Sequence, residues 1–225
     1  METSYLRSLF ESGQPLHQDD PVVRDEGHNF HTGPFVTIFS LLEKMASRRA
    51  IIVFRDSDAT EYGHVEFIWG LITISDLNRH GVRSGIYRLL ADVESGLARC
   101  LELEHQDPWK WLKHLDEEYQ ARVLGYWELS KRQGVDVGPI AALTLSQLIQ
   151  IICRDDKVAA RLGYLSRTQF KKAASGLPTL RNRVMHPVRP LILSIEDVER
   201  IRVSVLILEV LRERVENLLR NNAEA

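Results

Sequence analysis

Residues 194–219 read SIEDVERIRVSVLILEVLRERVENLL, and this stretch decides the fold. Ser194-Ile-Glu-Asp197 has the form of a capping box, a hydroxyl residue with an acidic one three positions on. Ile195, Val198, Ile201, Val205, Leu208, Leu211, Val215 and Leu218 then recur at helical spacing and place one apolar face on a long helix ending near Leu219. Such a face needs other helices to cover it, and the preceding sequence supplies them. Ile86, Leu89, Leu90, Val93, Leu97, Cys100 and Leu101 form a second apolar stripe. Leu115 to Arg132 reads as a helix ended by Gly134, and Leu143 to Cys153 as another, begun at or just before Thr144. Ser166 to Ala174 is a further helix, broken by Gly176-Leu-Pro178. Residues 86–225 are therefore predicted to be an all-α helical bundle.

The pattern differs upstream. Phe35, Ile38, Leu41, Leu42 and Met45 keep helical spacing; Ala50-Ile-Ile-Val-Phe54 is a short β-branched run that predicts a strand. A polar turn follows, and Val65 to Thr73 reads as a second strand with Gly70 as a bulge or close approach. Residues 1–34 are interrupted by glycine and proline and read as irregular. The expected class is α+β: an irregular segment over 1–34, a small α/β module over 35–85, then the bundle over 86–225, with the helix near 86–104 serving both parts.

Composition narrows the function. The chain has 225 residues, 44% apolar and 27% charged, with a net charge of -2. This is the balance of an ordinary globular protein, and it excludes a binder of nucleic acid driven by overall charge. Two cysteines, Cys100 and Cys153, are too few for a disulfide framework or a four-cysteine zinc site. Met1-Glu-Thr-Ser-Tyr-Leu6 has no basic region followed by an apolar core, and no apolar run reaches the length of a membrane span. A cytoplasmic location without membrane partners is the expectation. No P-loop, Gly-x-Gly-x-x-Gly or His-Glu-x-x-His occurs.

The sharpest local signal is Arg181-Asn182-Arg183-Val184-Met185-His186, between Pro178 and Pro187. Pro178 suits the first turn of a short helix, and Pro187 disfavours helical geometry at His186, placing that histidine at a helix end. Histidine exchanges protons near neutral pH, arginine grips phosphate oxygens as a planar fork, and Asn182 is able to orient either partner. In RNA the 2′-hydroxyl is a built-in nucleophile, so a base and a cation suffice for scission without metal. On one straight helix Arg181 and His186 would point about 140° apart. They converge only through irregularity at the helix end or through a second copy of the site across a two-fold axis. Between Arg154 and Arg189, nine lysines and arginines, including Lys171, Lys172, Arg183 and Arg189, face two aspartates, a net of +7 against -9 for the remainder. That basic segment is a footprint for an RNA backbone. The alternative for Arg181 and His186 is a helix-capping role.

Leu180-Arg-Asn-Arg-Val-Met-His-Pro187 resembles the signature of HEPN domains, the Arg-Asn-x-x-x-His form of their Arg-x4–6-His motif. The similarity spans about residues 86 to 220, with the motif in the latter part of the bundle before a long final helix. The resemblance implies an antiparallel helical bundle that forms a homodimer, with two motif copies in one cleft. It implies a metal-independent endoribonuclease, often a toxin or phage-defence effector, with Arg181 and His186 catalytic and Asn182 supporting. No cofactor is expected for catalysis, and an antitoxin protein is an expected partner.

Gly70-Leu-Ile-Thr-Ile-Ser-Asp-Leu77 resembles the end of a CBS motif, and the helix, strand, turn and strand before it follow that module's order. By this resemblance Thr73 and Asp76 would contact the ribose and phosphate of an adenine nucleotide acting as a regulatory ligand. CBS motifs come in tandem pairs and one is evident here, so a dimer would supply the second. The alternative is that Thr73 and Asp76 cap a helix in a dimerisation scaffold.

Other features read more simply. His28 and His31 have a spacing that two metal ligands use, but no nearby cluster completes a site, and a polar loop is the expectation. Trp109 and Trp111 suit base stacking or the bundle core. Glu102, Glu104, Asp107, Asp116, Glu117 and Glu118 form an acidic stretch, a solvated face or a surface for a partner's basic segment. The rival to the ribonuclease is a non-catalytic RNA- or protein-binding regulatory protein.

Overall fold

The computed structural model describes residues 38–46, 50–56, 66–135 and 137–223. Among them the chain is mostly helical. It divides into two compact units, one comprising residues 1–79 with 192–199, the other residues 80–191 with 200–225. The expectations for residues 1–34, His28 and His31 included, lie outside the described residues.

In the first unit, helix α1 (Ile38–Ala46) buries Leu42 and Met45. Strands β1 (Ala50–Asp56) and β2 (Glu66–Thr73) pair antiparallel, with Ala50 opposite Thr73 and Asp56 opposite Glu66. The register slips by one where Val53 faces Gly70 but Phe54 faces Ile68. Trp69 is thus the extra residue of a bulge, one position from the glycine that the sequence singles out. A 3-10 turn over Asp76–Asn78 follows β2. Asn78 pairs with the backbone of Ile192 as a peptide would: its Nδ2 donates to the carbonyl and its Oδ1 accepts from the N–H, both at 2.8 Å.

The second unit is helical: α2 (His80–Glu104), α3 (Trp109–Leu112), α4 (Glu117–Arg132), α5 (Leu145–Ile152), α6 (Asp156–Arg161), α7 (Arg167–Ala174), α8 (Leu177–Met185) and most of α9 (Ile195–Ala223). Helix α2 is its axis, packing on α5, α6 and α8. The predicted stripe supplies that face: Ile86, Leu90, Val93, Leu97, Cys100 and Leu101 are buried, while Leu89 is half-buried. On α9 the predicted residues from Val198 to Leu218 are buried and Ile195 is half-buried. That helix runs four residues beyond Leu219.

The boundaries follow local chemistry. Helix α4 stops in a Schellman turn: Gly134 has φ +71°, Val135 N–H donates to Ser130 O and Gly134 N–H to Lys131 O. Helix α5 starts at Thr144, whose N–H and hydroxyl both donate to Gln147 Oε1 at 2.7 and 2.9 Å. The Ser166 hydroxyl caps α7 by accepting from Gln169 N–H. The short helices α3 and α6 are absent from the sequence reading, because four and six residues carry too little periodicity. Trp111 is core and Trp109 is more than half exposed, so the two tryptophans divide between the expected roles.

Gly96 sets how closely α2 approaches α9. A methyl group placed there would lie 2.3 Å from Val215 Cγ1 and 3.3 Å from its Cβ. Valine on a helix has one favoured rotamer and cannot swing aside cheaply. Alanine at 96 gains about 1 kcal/mol of helix propensity, but overpacking costs about 1–3 kcal/mol. Gly96→Ala is therefore expected to lower stability by up to about 2 kcal/mol net, and Val215→Ala in the same chain to remove most of the overpacking penalty. Urea unfolding of the four proteins in this cycle checks it; additive losses would contradict the close approach.

Candidate functional site

Helix α8 carries the arginine–histidine motif. It begins after Gly176 with Pro178 in its first turn, as the proline predicts, and buries Leu177, Leu180 and Val184. His186 leaves the helix with φ -107° and ψ 84°, the departure that Pro187 imposes. Its ring is exposed, and among the described residues it has no side-chain hydrogen bond or ion pair. Asn182 is exposed. The half-buried Arg181 side chain makes no hydrogen bond among the described residues, and no bond joins it to His186.

Arg181 acts electrostatically on Glu94 of α2, a residue the sequence reading does not select. Burial pushes the Glu94 carboxyl up, and the Arg181 cation and the Leu145 backbone N–H pull it part of the way back. A half-buried guanidinium beside one carboxylate, with no hydrogen bond to it, retains donors for an anionic ligand.

A second unselected residue governs the far end of the motif. Arg83 of α2 is 6% exposed. Its Nη1 donates to Arg183 O at 2.7 Å and Val184 O at 3.4 Å, and its Nη2 donates to Arg189 O. Arg183 and Val184 precede His186, and Arg189 follows it. The guanidinium thus satisfies two carbonyls left over at the end of α8 and ties them to the far side of the Pro187 turn. Within that turn Arg189 N–H donates to His186 O at 3.0 Å. Arg183 Nη1 reaches Leu191 O at 3.4 Å. A sequence signal for Arg83 existed: it lies three, seven and ten residues before Ile86, Leu90 and Val93, a cation in the apolar row.

The basic segment is partly neutralised within the chain. Arg154 lies 3.4 Å from Asp116, Arg161 2.8 Å from Glu104 and Arg167 2.6 Å from Asp156. Asp116 and Glu104 of the acidic stretch thus meet cations of this same chain. Lys171 and Lys172 at the end of α7 are exposed, as is Arg189; Arg183 is half-buried. Burial pushes the Cys153 thiol up, with the Lys171 and Arg154 charges opposing it, and Cys100, deep in the core, is pushed up to about 11.

Asp155 of this segment pairs with His105 in a largely buried contact. His105 Nε2 donates to Asp155 Oδ2 at 2.5 Å, and Asp155 Oδ1 caps α6 by accepting from Lys157 and Val158 N–H at 3.0 and 3.3 Å. Burial opposes ionisation of Asp155, but the His105 bond and the two amides outweigh it and hold the carboxyl below the ordinary carboxylate range. A folded-state pKa below the unfolded one gives stability that is present above the unfolded value, about 3.9, and lost as pH falls through the folded one. Asp155→Asn is expected to cost about 1–3 kcal/mol at pH 7 and to flatten the loss of stability below about pH 4. Urea midpoints at pH 7, 4 and 3 test this; parallel curves for the two proteins would refute it.

In the first unit, Thr73 and Asp76 meet each other. Asp76 Oδ2 accepts from Thr73 N–H at 2.8 Å and from its hydroxyl at 2.9 Å, while Arg79 Nε lies 2.8 Å from Oδ1. The Thr73 amide leads in holding the Asp76 carboxyl below its usual range; burial opposes, and the Thr73 hydroxyl and Arg79 assist. The carboxylate closes the turn backwards onto the strand end.

Compared with family models, characterised proteins and solved structures, the chain matches none. Among the described residues, no helix is long and apolar enough to cross a membrane.

Proposed function

We propose that the chain is a metal-independent endoribonuclease of the HEPN type, acting as a homodimer with Arg181 and His186 at its centre. The observation that carries this reading is that neither side chain, Arg181 midway along α8 and His186 just past its last turn, makes a hydrogen bond to the protein among the described residues. A structural cap would be spent on carbonyls, as Arg83 is. In the proposed reaction His186 accepts the 2′-hydroxyl proton as the 2′-oxygen bonds to the adjacent phosphorus. The bond from phosphorus to the 5′-oxygen breaks, and that oxygen takes the proton back from the His186 imidazolium, giving a 2′,3′-cyclic phosphate and a 5′-hydroxyl. Arg181 offsets the charge that builds on the phosphoryl oxygens. Asn182 supports the pair, and Lys171, Lys172, Arg183 and Arg189 bind the backbone on either side. In this scheme an adenine nucleotide at Thr73 and Asp76 of a CBS-like module regulates the enzyme, and an antitoxin protein holds it in check.

A second reading, a non-catalytic binding protein, draws on α4. That helix buries only Val123 and Ser130 and exposes Tyr119, Tyr126 and Leu129 along one side, a row that suits a protein partner. One assay separates the two. Total RNA and tRNA are incubated with the full chain in EDTA, with and without adenine nucleotides, and product ends are analysed. The ribonuclease gives 2′,3′-cyclic phosphates. RNA that is shifted in a gel but left intact under every condition would sink the reading and leave the binding protein.

A further inference from the structure

We propose that Arg83 is a positioning residue for His186: through the Pro187 turn it sets where the imidazole stands. The inference rests on the ribonuclease reading for its effect on rate, and on geometry for the positioning itself. The imidazole has no side-chain partner among the described residues, so its place is decided by the backbone that carries it. That backbone is held from both sides by one guanidinium, before the histidine at Arg183 and Val184 and after it at Arg189. A helix cap needs only the first two carbonyls. The bond to Arg189 O spans the turn and makes the residue a clamp. The partners are all carbonyls, which complements the negative end of α8 and leaves the cation no carboxylate to follow elsewhere. Lysine presents a single compact charge and cannot bridge the same carbonyls with a rigid fork.

The test uses the full chain with Arg83→Lys, and with Arg83→Gln in case lysine disturbs the fold. Two readouts are taken: steady-state cleavage of an RNA oligonucleotide in EDTA, and the His186 ring resonance by NMR. Expected is a fall in kcat of about 10–100-fold with KM changed less than about threefold, as for a catalytic group displaced by about an ångström. The His186 resonance should shift or broaden while the core methyl resonances stay in place. An unchanged His186 resonance in a folded variant overturns the proposal, as does a kcat equal to the wild type. A kcat that falls only as far as the folded fraction falls also overturns it. If the wild type cleaves no RNA, the ribonuclease reading fails on its own, and the NMR comparison still decides whether Arg83 places the ring.

Discussion

Alanine at position 186 is expected to slow RNA cleavage by about 10²–10⁴-fold, the range for removing a proton-transferring side chain, while RNA affinity stays within about twofold. The ring is exposed and has no side-chain partner among the described residues, so its removal leaves no cavity and no orphaned donor. Stability should therefore stay within about 0.5 kcal/mol of the wild type, as for other surface changes. Arg181→Ala is expected to lose about 10²–10³-fold through the phosphoryl charge it no longer offsets. Arg181→Lys should recover little, since a point charge does not reproduce the planar fork. Cleavage rates and gel-shift affinities for the three variants check this. Loss of binding together with cleavage in His186→Ala would move the residue from chemistry to recognition.

The second large effect concerns Phe170, which is fully buried and meets Tyr164 edge-on at 5.2 Å and 80°. The other side of that interaction is also fixed: Arg214 lies over the Tyr164 ring at 4.5 Å and donates to Leu162 O at 3.0 Å. Phe170→Ala removes the anchor of α7 and leaves a space its neighbours cannot fill, at an expected cost of about 3–5 kcal/mol. Phe170→Leu keeps most of the volume and loses the edge-on contact, for about 1.5 kcal/mol. Since α7 also carries Lys171 and Lys172, the alanine variant should weaken RNA binding at temperatures where it is partly unfolded. Chemical denaturation of both variants measures the costs; a loss below about 1 kcal/mol in Phe170→Ala would mean the ring is not a core anchor.

Much of the helical unit was legible because its signals are local. The stripe from Ile86 to Leu101, the start at Thr144, the cap at Ser166 and the stop at Gly134 each depend on residues within one or two turns. The two strands were legible for the same reason, but not their pairing, and the bulge falls at Trp69, one position from the glycine read as a bulge or close approach. The motif at Arg181 and His186 could be picked out, and Pro187 told where the helix would end. What could not be read was who faces whom. Arg83 and Arg183 are a hundred positions apart, and His105 and Asp155 fifty. Glu94 looks like any surface glutamate until α8 is laid against α2. The net of +7 already subtracted Asp156, the partner of Arg167, but not Asp116 and Glu104, which lie outside the segment and beside Arg154 and Arg161.

The contact between Gly96 and Val215 has a meaning for how this protein diverges. Two positions 119 residues apart share one small volume, so neither can grow alone. In chains descended from the same ancestor, a side chain acquired at 96 should be accompanied by a smaller residue than valine at 215, and a bulkier residue at 215 should be found only opposite glycine. That paired substitution pattern would mark descent of the α2–α9 crossing even where Arg181 and His186 had been lost.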